Sequence, residues 1–131
     1  MSIIIWLDLY SVNSPNIDSQ HKRLFAMIND LHDAMIQGKG SEIVGKTLES
    51  LVDYSKVHFA DEEKMLQSIN YPDLPAHQTE HHTFIQRVYE LQNQHRDGTI
   101  ALTLPVMEFL RDWLTNHILK VDKKYAAYLK N

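Results

Sequence analysis

Three short stretches bring imidazoles and carboxylates close together in the chain: HFADE (58–62), HQTEH (77–81) and NHILKVD (116–122). His58 and Glu62, like His77 and His81, stand four residues apart, so on a helix each pair stacks one turn apart on one face. Such a pair can give two donor atoms to one metal ion or bracket two neighbouring ions. His117 and Asp122 are five apart, and five steps of about 100° leave them about 140° apart in azimuth. His21, in IDSQHKRLF (17–25), stands alone. Imidazole and carboxylate without sulfur suit iron, manganese or zinc. Five imidazoles and two carboxylates are more than one tetrahedral zinc ion can use. Two six-coordinate ions with both carboxylates bridging would use all seven.

The elements that must position these groups follow from the apolar periodicity. Turn signals at QGKGS (37–41), NYPDLP (70–75) and RDGT (96–99) divide the chain into four long segments. Within them apolar residues recur at alternating steps of three and four, which predicts helices. The first runs from about 18 to 37 with Asp18 as N-cap, the second over about 41–68, and the third over about 74–95. The fourth begins near Thr103, with Pro105 in its first turn. Their inward stripes are interrupted by His21, His58, Glu62, His77, His81 and His117. Burying such groups unpartnered costs several kcal/mol. In an up-down-up-down bundle, at about 1.5 Å per residue, the histidines of all four helices lie at one level within roughly 5 Å. Helix propensity does not require that coincidence; a metal centre does. The fold class is therefore all-α: an antiparallel four-helix bundle with an extended N-terminal arm over 1–17, anchored by Ile3–Ile5 and Trp6. The five-residue step predicts a break or tightened turn within 118–121, followed by a short C-terminal helix over 121–130.

Composition narrows the function classes. The 131 residues fit one domain, and 17 acidic against 13 basic residues, with no long basic run, argue against nucleic acid. The opening MSIIIWLDLY has no basic leader and is interrupted by Asp8, so neither a signal peptide nor a membrane span is expected. With no cysteine there are no disulfides or thiolate ligands, and a cytoplasmic location is the default. His82 falls off the stripe and His95 lies near the turn, and both are read as surface or boundary residues; His32 lies three turns above His21, too far to ligate the same centre. Glu63 points elsewhere than Glu62 and is read as surface, with an outer role toward a ligand left open. A single inward histidine is ordinarily a hydrogen-bonded core residue, but the polar partners that reading needs are absent from these stripes.

In order and spacing, H…HxxxE…HxxxH…HxxxxD, these residues resemble the bacterial hemerythrins, in particular the single-domain bacteriohemerythrins. The similarity extends from about Trp6 to Tyr125 and suggests one hemerythrin-like domain over 1–131. The resemblance implies a non-haem di-iron centre, oxo- or hydroxo-bridged, that binds dioxygen reversibly for transport, storage or delivery. His77, His81 and His117 would hold one iron, and His21 and His58 the other, with an open position for O2. Glu62 and Asp122 would bridge. Leu24, Phe25, Ile28, Phe59, Trp113, Leu114 and Ile118 are candidate pocket-lining residues, although core packing explains them equally. The reading is of a binding protein and not an enzyme, expected to be monomeric, with an O2-consuming oxidase or a reductase as partner. The alternatives are an O2, nitric oxide or redox sensor, and a di-iron enzyme with peroxidase- or oxidase-like activity.

Overall fold

A computed structural model describes residues 3–38, 41–97 and 104–129. Helices α1 (Pro15–Ile36), α2 (Ser41–Ser68), α3 (Leu74–Arg96) and α4 (Leu104–His117) form the expected antiparallel bundle, and no strand occurs among the described residues. Helix α1 packs on α2 and α4, and α2 packs on α3. The turns expected at 37–41 and 96–99, and the start of the fourth helix at Thr103, fall partly or wholly outside the described residues.

Two expectations about the N-terminal region are corrected. Helix α1 begins at Pro15, and its N-cap is Ser14, whose hydroxyl accepts from the Ile17 N–H at 3.2 Å. Serine followed by proline is a strong start signal, with the cap worth about 1 kcal/mol. Asp18 instead ties the arm to the helix, accepting from Ser11 Oγ at 2.6 Å and from the Val12 N–H at 2.9 Å. In the arm, the Asn29 side-chain amide accepts from the Ile3 and Ile4 N–H groups and donates to the Ile4 carbonyl. Ile4 is buried and Trp6 rests against Phe25, but Ile5 is 67 % exposed and anchors nothing. Extended backbone alternates its faces, so three successive isoleucines cannot all point inward.

The turn between α2 and α3 is built by NYPDLP. Asn70 adopts a left-handed φ of 55°, which lets the Tyr71 N–H reach the Leu66 carbonyl and the Asn70 N–H reach that of Gln67. Leu66 and Tyr71 then meet in one apolar cluster, closing a Schellman cap.

The interior has two apolar clusters. The larger includes Leu24, Ile28, Leu48, Val88, Leu110 and Ile118. The smaller gathers Val12, Ile17, Leu66, Tyr71, Tyr125 and Ala126. Met65 and Trp113 are half-buried, while the adjacent Leu66 and Leu114 are buried.

After α4 the chain neither breaks nor tightens. It widens into a π-helical segment, Ile118–Asp122, then continues as α5 (Lys123–Ala126) and a 3₁₀ turn at Ala127–Leu129. The arm straps this end down. Asn13 Nδ2 donates to the Ala126 carbonyl at 3.0 Å, and Lys123 Nζ donates to the Ser11 carbonyl at 2.8 Å.

Candidate metal centre

Seven donor side chains converge inside the bundle: His21 from α1, His58 and Glu62 from α2, His77 and His81 from α3, His117 from α4, and Asp122 from the π segment. All are at most 3 % exposed. Their donor atoms form two groups, each within 4.8 Å: Glu62, His77, His81, His117 and Asp122; and His21, His58 and Glu62.

Both carboxylates are divided between the two sides. Glu62 Oε1 lies 2.8 Å from His81 Nε2 and 3.0 Å from His77 Nε2, whereas Oε2 lies 3.6 Å from His21 Nε2 and 3.8 Å from His58 Nε2. Asp122 Oδ1 is 2.9 Å from His77 Nε2 and 3.0 Å from His117 Nε2, and Oδ2 is 3.3 Å from His21 Nε2. Ligand atoms about 2.1 Å from a six-coordinate ion stand about 3 Å apart along its edges. The spacings around Glu62 Oε1 and Asp122 Oδ1 are of that size, and Glu62 belongs to both donor groups.

The π segment explains how Asp122 joins His117. Hydrogen bonding from residue i to i+5 seats residues five apart over one another, where a regular helix would separate them. The imidazoles are held by flat contacts as well: Trp113 stacks on His117 at 4.6 Å and Phe59 on His81 at 3.9 Å.

Three histidines turn their outer nitrogen to an acceptor. His58 Nδ1 meets Gln20 Oε1 at 2.6 Å, His81 Nδ1 meets Glu63 Oε2 at 2.7 Å, and His117 Nδ1 meets Glu80 Oε1 at 3.4 Å. An acceptor there keeps the proton on Nδ1 and points the Nε2 lone pair into the centre. On the inner side, the Tyr125 hydroxyl donates to Glu62 Oε2 at 2.6 Å. Gln20, Glu80 and Tyr125 escape the sequence reading. The available signals were adjacency, since Gln20 and Glu80 each precede an inward histidine, and the three-residue step from Asp122 to Tyr125.

The donor set fits metal ions better than it fits itself. Both nitrogens of His21, Nδ1 of His77, Nε2 of His81 and His117, and both oxygens of Asp122 are buried without a hydrogen-bond partner. Such orphans cost several kcal/mol unless something satisfies them. Electrostatics points the same way. Burial alone would push the carboxyls up, but the surrounding histidines hold Glu62 and Asp122 well below the usual range and ionised. Burial would push His21 and His77 down, but Asp122 and Glu62 outweigh it and raise both to about 9. His58 stays neutral because burial prevails and lowers it to about 4. Burial and the two carboxylates drive the Tyr125 hydroxyl far upward, so it remains a donor. Two protonated imidazoles thus face two carboxylates, a positive charge that ions could supply instead.

The remaining histidines stand apart: His82 is exposed, and His32 and His95 are half-buried. Of the seven candidate lining residues, Leu24, Phe25, Ile28, Phe59, Leu114 and Ile118 share the larger apolar cluster, and Trp113 packs against it half-buried.

Comparison with known proteins agrees with this geometry. A family model described as the hemerythrin HHE cation binding domain matches residues 13–129. A bacteriohemerythrin of Methylococcus capsulatus is 39 % identical over 130 residues, covering 98 % of each chain. A myohemerythrin of Riftia pachyptila is 32 % identical over 125 residues, covering 95 % of this chain and 92 % of its own. A crystal structure of wild-type hemerythrin matches with a TM-score of 0.93 at 36 % identity, over 99 % of this chain and 100 % of that one.

Proposed function

The chain belongs to the hemerythrin family, and from that premise we propose which residues hold the metals and what the site does. It is a dioxygen-binding protein with a non-haem di-iron centre. His77, His81 and His117 would hold one iron and His21 and His58 the other, with Glu62 and Asp122 between them. The observation that carries this assignment is the division of each carboxylate, one oxygen toward each histidine group. The His21/His58 half has one imidazole fewer, and dioxygen would bind on that side. When bound, the iron pair supplies the electrons that let dioxygen bind and leave.

The protein's own contribution is to gather five imidazoles, three of them with Nδ1 facing an acceptor so that the Nε2 lone pair points inward, and to keep two carboxylates ionised. Tyr125 fixes Glu62 by donating to Oε2. The lining Leu24, Phe25, Ile28, Phe59, Trp113, Leu114 and Ile118 keeps charged reductants from the ligand side. Binding is favoured over turnover because Glu62 and Asp122 are the only buried acids among the described residues, leaving no spare carboxyl to deliver a proton. The protein works as a cytoplasmic monomer, exchanging dioxygen with an oxidase and kept ferrous by a reductase. Its lack of cysteine suits a reducing compartment. No helix among the described residues is long and apolar enough to cross a membrane.

The test is anaerobic reduction followed by air, with an iron count and optical spectra. Two irons per chain and a visible band that appears with air and fades on deoxygenation are expected. A single zinc, or no metal, overturns the reading; steady consumption of O2 or peroxide with a reductant makes the protein an enzyme.

A further inference from the structure

The outer partners of the histidines differ in charge between the two halves of the centre. His81, in the three-histidine half, donates to Glu63 at 2.7 Å. Glu63 is 26 % exposed, and its other oxygen accepts from Gln78 Nε2 at 3.3 Å, so the carboxylate is held from both ends. His117, in the same half, faces a second carboxylate, the half-exposed Glu80, at the longer distance of 3.4 Å. His58, in the two-histidine half, donates to an uncharged amide, Gln20 Oε1. Gln20 is locked in that sense because its Nε2 donates to Asp61 Oδ2 at 3.1 Å, which leaves only its oxygen for the imidazole. His21 Nδ1 and His77 Nδ1 have no hydrogen-bond partner, so neither offsets the difference.

A carboxylate accepting the Nδ1 proton draws that proton away and makes the imidazole a stronger donor at Nε2; a neutral amide does so weakly. We propose that Glu63 and Gln20 are positioning residues that grade the two halves of the centre, Glu63 favouring ferric iron in the three-histidine half and Gln20 leaving the dioxygen half easier to keep ferrous. This rests on the ligand assignment proposed above. Dioxygen draws on both irons and needs both ferrous, so the grading would make the three-histidine half the readier electron donor and leave the half with the vacant position the readier to hold ferrous iron, without changing any ligand.

The test uses the full, iron-loaded chain titrated with dithionite as electron donor and followed optically. Glu63→Gln is expected to make the centre easier to reduce, by about tenfold in the ferric-to-ferrous ratio, or 59 mV for one electron. Gln20→Glu is expected to move it by a similar amount in the opposite direction, and Glu63→Asp to restore most of the wild-type value. A second readout needs no redox chemistry. In zinc-loaded protein, the Nδ1 proton of His81 should exchange slowly with solvent, and much faster in Glu63→Ala. If Glu63→Gln fails to load iron, Gln20→Glu and Glu63→Asp decide. Unmoved midpoints, or shifts of the same sign in Glu63→Gln and Gln20→Glu, overturn the grading. Wild-type protein that holds two irons and responds to air while the midpoints stay unmoved refutes the grading alone; wild-type protein without an iron pair refutes the ligand assignment and the grading with it.

Discussion

Helices α2 and α3 and the end of α4 bring donors inward by different means. In α2 and α3 the step of four residues is enough: a regular helix puts His58 beside Glu62 and His77 beside His81. At the end of α4 the step is five, and the helix widens over Ile118–Asp122 so that the Asp122 carboxylate reaches the same histidines. The first device is robust because any undistorted helix executes it. The second depends on one local irregularity, which neighbouring elements must hold. Asn13 and Lys123, joining the arm to the segment beyond Asp122, are placed to do so.

The comparison breaks most sharply under changes of register. One alanine inserted between Ala60 and Asp61 turns Glu62 about 100° away from the centre, and metal analysis should show both irons lost. Deleting the exposed Lys120 reduces the His117–Asp122 step to four, and a regular helix should then keep both irons. Iron loss in the deletion as complete as in the insertion would show that the wide turn itself is required. Next in size is pH. In metal-free protein His21 and His77 are raised to about 9 from 6.5. The stability their protons contribute is full below pH 6.5 and is lost as pH rises through about 9. His58, lowered to about 4, acts in the opposite direction, removing stability as pH falls from 6.5 toward 4. Metal-free protein should therefore be less stable to denaturant at pH 9.5 than at 6.5 by a few kcal/mol, on the order of the shifts. Iron loading at pH 7 should release about two protons per chain.

A smaller effect is expected where the C-terminal segment touches α2. Tyr125→Phe leaves Glu62 Oε2 without its buried donor and should cost about 1–3 kcal/mol in denaturant unfolding, with iron retained. The smallest is His82→Ala on the solvent face of α3, which should leave iron content and stability unchanged. Iron loss there equal to that in His117→Ala would contradict the separation of donors from bystanders.

Much of the architecture was legible because polar residues in apolar stripes are costly and so stand out. His21, His58, Glu62, His77, His81 and His117 interrupt the periodicity, and the five-residue step to Asp122 marks a fault in helix four. The direction of that fault was not legible: a mismatch of spacing says that the helix deviates, not whether it tightens or widens. Gln20, Glu63 and Glu80 sit at stripe edges, where a polar residue costs nothing and carries no signal. Tyr125 was hidden by its own amphipathic character, since a buried ring in a terminal helix needs no polar explanation until its hydroxyl is placed. Ser14 and Asp18 both offer a cap four residues apart, and serine directly before proline is the stronger start signal.

The carboxylate at 122 and the imidazole at 21 meet at 3.3 Å across about a hundred residues of chain. Metal ions held between them would act as a cross-link in a protein that has no disulfide. Closing a loop of that length covalently removes about 4–5 kcal/mol of entropy from the unfolded chain. On that footing the centre is also the chain's staple. Loading and unloading iron would then decide how long the fold survives, and chelation should speed unfolding well before it alters the shape of the bundle.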